Sequence, residues 1–179
     1  MRSRFPVAPW SSSLRLMSAL GTAVLVVVGV SAYRGIPVVS GIAHTLGLGV
    51  ALALILSLLG SFLFAVTGYA VDENALHIER PLFATRVPLA DLQRVWFDPD
   101  ACKGSLRLFG NGGLYSFTGF FRNKKLGIYR LFGTDLRRAV VLMLSQRTVV
   151  ITPADPDAFI GHMRLAFPAV IVEPAGRGA

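Results

Sequence analysis

Residues 46–69 read LGLGVALALILSLLGSFLFAVTGY and contain no Asp, Glu, Lys or Arg. A helix formed by this stretch would be about 36 Å long at 1.5 Å per residue. That length crosses a bilayer with some tilt. The charge-free run extends over residues 35–71, and the buried helix of a soluble core rarely stays uncharged for so long. The stretch therefore predicts a transmembrane helix at residues 46–69.

The residues before this stretch predict a second, shorter span at residues 16–33, which are also free of charge. Residues 1–15 form a basic N-terminal segment that contains three arginines and no acid. Residues 34–45 would then form a short external loop between the two spans. An alternative is a cleaved signal peptide, because the basic start and the small residues Ser31 and Ala32 suit a signal peptidase.

The distribution of arginines predicts the orientation of the two spans. Arg2, Arg4 and Arg15 precede the first span, and Arg80 and Arg86 follow the second. The connecting loop holds a single arginine at its start. Since cytoplasmic loops are enriched in Lys and Arg, both termini are predicted to be cytoplasmic, in a multi-pass protein of the inner membrane.

The composition divides the chain near residue 71. The mean hydropathy of +0.58 is an average, because all ten acidic residues lie at or after Asp72. The net charge of +8 is spread along the chain, so we interpret it as membrane-related and predict no nucleic-acid partner. The single cysteine, Cys102, cannot form an internal disulfide or a cysteine-rich metal site.

The C-terminal part of the chain predicts a mainly-β domain at residues 72–167. Short apolar runs occur at residues 75–80, 83–89, 92–97, 106–109, 114–121, 128–132, 139–144 and 148–151. Their spacing is typical of an antiparallel sandwich or barrel. Two of the runs flank Asn111 and Gly112, which predicts a hairpin turn at that dipeptide.

One helix is predicted after the last of these runs. Asp155 is a suitable N-cap and Pro156 suits the first helical position. Phe159 and Met163 follow at helical spacing, and Pro168 ends the pattern. Residues 168–179 are predicted to be a flexible tail.

Several motifs of the β region together suggest a known family. They are Arg107-Leu-Phe-Gly-Asn-Gly-Gly113 with Gly119, Gly127-Ile-Tyr-Arg130 with Thr134 and Asp135, and Val150-Ile-Thr-Pro-Ala-Asp-Pro156 with Phe159. In these motifs the chain resembles the bacterial pleckstrin-homology (PH) domain membrane proteins, over approximately residues 69–167. The resemblance implies a membrane α-helical hairpin followed by a cytoplasmic PH-like antiparallel β barrel or sandwich of about seven strands, capped by one C-terminal helix. It implies no catalytic site and supplies no ligand residues.

The candidate contact residues are Arg122, Lys124 and Lys125, which lie in a basic loop between two predicted strands. Such a loop is either a solvated hairpin tip or a site for anionic lipid headgroups. The attraction between those headgroups and a basic residue near the surface is worth about 1 kcal/mol per residue. The sequence contains no nucleophile elbow and no His-Glu-x-x-His motif, and we predict no catalytic residue, cofactor or metal site.

These observations predict a membrane-anchored, non-catalytic interaction module. At the cytoplasmic face it would bind a protein partner or associate with copies of itself. The alternative function is recognition of anionic lipid headgroups through Arg122, Lys124 and Lys125.

Overall fold

The computed structural model of the protein describes residues 2–34 and 41–172. Half of the predicted external loop (residues 35–40) and the end of the predicted tail (residues 173–179) lie outside the described residues. Two long helices begin the fold, α1 (Ser12–Arg34) and α2 (Gly41–Leu63). Within them Ser12–Ala32 and Thr45–Leu63 are long and apolar enough to cross a membrane. Only 11% and 6% of these two windows is buried, so their apolar side chains are exposed.

The prediction that the second span continues to residue 69 is wrong. Helix α2 ends at Leu63, and Gly68–Val71 form a strand, β2. Tyr69 is fully buried and its hydroxyl donates a hydrogen bond to the Phe132 carbonyl at 2.7 Å. Residues after the helix are apolar because they enter the core of the β domain. Hydropathy does not distinguish that environment from lipid.

All eight predicted apolar runs form strands. They are β3 (Ala75–Glu79), β4 (Ala84–Pro88), β5 (Leu92–Phe97), β6 (Leu106–Leu114), β7 (Ser116–Asn123), β8 (Gly127–Gly133), β9 (Val140–Leu144) and β10 (Thr148–Ile151). A short 3-10 turn, Leu136–Arg138, connects β8 to β9. The predicted helix is α3 (Pro156–Ala166), and its Asp155 cap accepts a hydrogen bond from the Ala158 amide at 2.9 Å.

The strands form two sheets, and the mainly-β, PH-like fold with a C-terminal helix is confirmed. With two more strands, β1 (Ser3–Pro6) and β11 (Ile171–Val172), one sheet has the order β1-β2-β3-β4 and the other β11-β5-β9-β10-β8-β7-β6. Two pairings in the larger sheet are parallel, β8 with β10 and β5 with β11, whereas the sequence predicted an antiparallel fold. The first arises because the connection through the 3-10 turn leaves a gap between β8 and β9, which β10 fills.

Besides β2, two further strands lie in segments where the sequence predicted none. The basic N-terminal segment contributes β1 (Ser3–Pro6), which pairs antiparallel with β2 and places Phe5 opposite Tyr69. The predicted tail contributes β11 (Ile171–Val172). Both strands are too short to show an alternating pattern. Their formation depends on the partner strand rather than on their own sequence.

The larger sheet is buried on both faces. Along β9, Val140, Leu142 and Leu144 point into a core shared with the smaller sheet and α3, including Phe159. The intervening Val141 belongs to a second core on the other face. Leu14, in the first turn of α1, lies in that second core and is fully buried. The start of α1 therefore packs as part of the β domain.

The β6–β7 hairpin is present, but its turn is not at Asn111-Gly112. The strands pair as far as Leu114 and Ser116, so Tyr115 forms the tip, with a φ of 66°. The Asn111 carboxamide oxygen accepts hydrogen bonds from the Gly113 and Leu114 amides at 3.2 and 2.9 Å. Asn111 therefore stabilises the turn from within the strand instead of forming its tip.

Candidate functional site

The tip of the β6–β7 hairpin lies on α1. The Ser18 hydroxyl donates to the Gly113 carbonyl at 3.2 Å and accepts from the Tyr115 amide at 2.9 Å. The hydroxyls of Thr22 and Tyr115 are 2.9 Å apart. Ser18 is itself buried beneath the tip. These contacts fix the β domain to the helical hairpin at a second place, in addition to the packing of Leu14.

A cleft of about 640 Å³ lies between the last turns of α2 and the larger sheet. Leu56, Ser57, Gly60 and Ser61 of α2 form one wall, and residues of β6, β7 and β8 form the opposite wall. Among the described residues that line the cleft, the charged side chains are three arginines, Arg80, Arg107 and Arg130, and none is acidic. The cleft is therefore apolar on its helical side and cationic on its sheet side.

Arg80 is the most buried of the three arginines, with 8% of its surface exposed. Its Nη1 donates to the Phe64 carbonyl, just beyond the end of α2, at 2.6 Å. Its guanidinium lies 5.1, 5.3 and 5.6 Å from the ring centres of Phe64, Phe83 and Phe132. Its buried Nε has no hydrogen-bond partner among the described residues. Arg80 is therefore held by aromatic rings and one carbonyl, and most of its donors remain unused.

Arg130, on β8, also contacts the Phe132 ring. Its guanidinium is 5.1 Å from the centre of that ring and 5.4 Å from the centre of the Phe120 ring. Its Nε is also buried and also lacks a partner in the described part of the chain. The Phe132 ring thus contacts two guanidinium groups.

The pKa values of both guanidinium groups are lowered. Burial is the main cause for Arg80, and repulsion from Arg130 adds to it. Burial is also the main cause for Arg130, followed by repulsion from Arg147. An arginine nevertheless stays protonated in a protein, so the charges are retained. Neither group forms an ion pair with an acidic side chain of residues 2–34 or 41–172.

This arrangement favours the binding of an anion. Cation–π contacts offset only part of the cost of burying a charge. A guanidinium group presents donors in a planar fork that matches phosphate and carboxylate oxygens. Two such groups lie beside one aromatic ring, and no acidic residue is among the described residues that line the cleft, so that capacity is free.

The predicted contact residues Arg122, Lys124 and Lys125 lie elsewhere. The Lys125 ammonium is 2.6 Å from Oδ2 of Asp98, a carboxylate that is 2% exposed, so Lys125 has a structural partner. Arg122 and Lys124 are exposed. Arg122 lies within β7 rather than in a loop, and Lys124 and Lys125 lie in the turn after β7, at the end of the strand opposite the hairpin tip. None of the three is among the residues that line the cleft. The structure does not bring the loop and the cleft together, and a role of the loop in lipid binding stays a prediction.

The sequence analysis did not identify Arg80 and Arg130 as site residues. One signal was available in the sequence. Ile128, Arg130 and Phe132 share one face of the strand, so Arg130 is a single charge on an otherwise apolar face. Arg80 directly follows β3 and resembles an ordinary turn residue. The two arginines are fifty positions apart in the sequence, so their proximity in space could not be predicted.

The other titratable groups form smaller contacts. His77 Nε2 is 2.7 Å from Oδ2 of Asp72, and hydrogen bonds from the Asn74 amide and His77 lower the pKa of Asp72 to about 2. Burial raises the pKa of the Cys102 thiol to about 11. No group of three or more His, Cys, Asp or Glu suited to a metal ion occurs among the described residues.

Comparison with known proteins identifies the β domain. The model of a family described as "Bacterial PH domain" matches residues 67–166, which is more than half of the 179-residue chain. The match begins just before β2 and ends with the last residue of α3. No curated protein and no solved structure gives a significant match.

Proposed function

The chain belongs to the bacterial PH domain family, and on that premise we propose that it is a membrane-anchored, non-catalytic interaction module. PH domains are general interaction modules and are typically non-catalytic. The proposed module binds an extended segment of a protein partner, or a second copy of this chain, along the free edge of β6.

The proposed membrane placement is supported by the exposed surfaces of α1 and α2. Leu20 and Val27 of α1 and Leu52 and Ile55 of α2 each expose about half or more of their surface. Apolar patches of this extent on a soluble monomer would favour aggregation, whereas lipid solvates them. The arginine distribution favours a cytoplasmic β domain.

The observation that carries the proposed interaction is the edge of the larger sheet. Strand β6 is the last in the sheet order and, within the described residues, pairs with β7 alone. Leu106, Leu108 and Phe109 are 72%, 53% and 74% exposed along it. An exposed apolar edge can accept another strand, with backbone hydrogen bonds for affinity and side-chain contacts for specificity.

Photo-crosslinking in intact membranes tests this proposal. A photoreactive amino acid placed at Leu108 is expected to form a protein adduct, and the mass of the adduct distinguishes a second 19.3 kDa copy from another protein. The matched control position is Ile128, which is exposed on β8 away from the edge.

A second substitution makes the test specific. Leu106→Lys places a charge beside the crosslinking position on the same edge, and we expect it to abolish the adduct because charged edges resist strand addition. Equal labelling at Leu108 and Ile128, or an adduct that is unchanged by Leu106→Lys, would contradict the proposal.

A further inference from the structure

Two guanidinium groups that lack acidic partners, Arg80 and Arg130, face a cleft whose other wall is a membrane-compatible helix. In the absence of an anion, the hydrogen-bond donors of Arg130 have no partner among the described side chains and carbonyls, and those of Arg80 have one. A buried charge without an opposite charge is costly, and a bound anion would remove that cost.

The position of the cleft identifies the source of the anion. Its helical wall begins at Leu56 and ends near Leu63, so it covers about the last 10 Å of α2. At this end of the helical hairpin, the rings of Trp10 and Phe62 lie 6.1 and 6.2 Å from that of Tyr115. Aromatic residues of this kind mark the headgroup level of a bilayer.

The lining of the cleft fits an amphiphile better than a free anion. Leu56 lines the helical wall and is exposed, so the apolar surface of the cleft continues onto the face of α2 that would contact lipid. Polar but uncharged side chains also line the cleft, namely Ser57 and Ser61 on the helical wall and Thr118 on the sheet wall. A free inorganic anion would use the cationic end of the cleft only.

We propose that this cleft binds an anionic phospholipid, with its phosphate held by Arg80 and Arg130 and its acyl chains along Leu56 and the adjoining face of α2. This inference rests on the membrane placement in the proposed function, but not on the proposed strand addition at β6. The lipid would then fix the angle between the β domain and the bilayer.

Native mass spectrometry of the full-length protein in detergent tests the proposal. Phosphatidylglycerol is titrated into the delipidated protein, with phosphatidylcholine and inorganic phosphate in parallel titrations. We expect one molecule of phosphatidylglycerol to bind and Arg130→Gln to weaken its binding at least about tenfold, because charge-assisted hydrogen bonds are lost. Arg130 is the better position to substitute, because Arg80 also bonds to Phe64 and Arg80→Gln risks misfolding.

Matched controls separate this site from the basic loop. Arg122→Gln, near the end of β7, and Lys124→Gln, in the turn that follows, each remove one positive charge from an exposed position that does not line the cleft, and they are expected to leave binding unchanged. Binding that is lost in these variants and kept in Arg130→Gln would overturn the proposal in favour of the loop. Equal binding of phosphatidylcholine, or binding of phosphate without preference for the lipid, would also overturn it.

The result of the lipid titration is independent of the result of the crosslinking experiment at Leu108. Loss of the Leu108 adduct with lipid binding intact would reject the strand addition alone. Recovery of the full-length protein as a folded species without detergent would reject the membrane placement on which the lipid site depends.

Discussion

At the scale of single residues, Gly110 and Gly119 determine how closely β6 and β7 approach. A Cβ at Gly110 would lie 2.3 Å from the Thr118 carbonyl oxygen, and one at Gly119 would lie 2.1 Å from the Phe109 carbonyl oxygen. Both residues also have positive φ, at 108° and 144°. Gly110 and Gly119 are paired across the two strands at a distance that side chains would prevent, and both line the sheet wall of the cleft.

Gly110→Ala is therefore expected to lower the free energy of unfolding by roughly 2–4 kcal/mol, because it adds a backbone clash to an unfavourable φ. The control is Gly161→Ala in the exposed interior of α3, where a Cβ meets nothing within 4 Å. That change is expected to be neutral or to stabilise by about 0.5–1 kcal/mol. Thermal unfolding in detergent measures both, and equal melting temperatures for the two variants would contradict the prediction.

Lys125 provides a second prediction at this scale, because its ammonium group pairs with the buried carboxylate of Asp98. Lys125→Met leaves that carboxylate without its cation and is expected to cost about 1–2 kcal/mol of stability. This is less than for a fully buried pair, since the Lys125 side chain is 31% exposed. The neighbouring Lys124→Met is expected to change stability by less than about 0.5 kcal/mol. If Lys125→Met and Lys124→Met have the same melting temperature, the ion pair contributes nothing measurable to stability.

At the scale of secondary-structure elements, β1 joins the N-terminus to the β domain. Its Phe5 ring lies 5.0 Å from that of Phe159 on α3, in an edge-to-face contact. Its Arg4 is 3.4 Å from Glu79 on β3, but the Arg4 side chain is 75% exposed. The apolar contact should therefore contribute more to stability than the ion pair.

Phe5→Ala is expected to destabilise the protein by about 2 kcal/mol, below the value for a fully buried phenylalanine because Phe5 is only partly buried. Arg4→Ala, one position away on the same strand, is expected to cost less than about 1 kcal/mol. Chemical denaturation followed by tryptophan fluorescence compares the two variants. A larger effect of Arg4→Ala would mean that β1 is held by charge rather than by packing.

At the scale of the whole molecule, the pairing of β1 with β2 constrains the topology. The segments before α1 and after α2 meet in one sheet, so the two ends of the helical hairpin lie together. If both helices cross the bilayer, β1 and the β domain must be on the same side. This constraint is independent of the arginine distribution.

Reporter fusions are therefore expected to give the same result at both termini. A fluorescent protein fused at Met1 or at Ala179 should fluoresce in the cytoplasm, while alkaline phosphatase at either position should be inactive. Phosphatase inserted after Pro37 should be active, because that position follows the first span. Opposite results at the two termini would be incompatible with the β1–β2 pairing.

Much of the fold was predictable because the order of apolar and polar residues within many segments reflects the environment of that segment. The eight alternating or continuous apolar runs all form strands, and Asp155 and Pro156 begin the helix where their capping preferences predict it. The boundary at residue 69 was not predictable from hydropathy. Tyr69 lies in the buried core of the β domain, whereas Leu56 is exposed on α2, and hydropathy treats the two segments alike.

The sequence by itself determined two helices that are apolar enough to cross a membrane, a β domain after them and a helix at its end. Each of these depends on residues that are close in the chain. Only the tertiary structure decided the pairing of Phe5 with Tyr69, the docking of Tyr115 on α1 and the meeting of Arg80 with Arg130 around Phe132. These contacts join segments fifty or more residues apart. The local periodicity of a sequence does not predict which distant side chain a residue will contact.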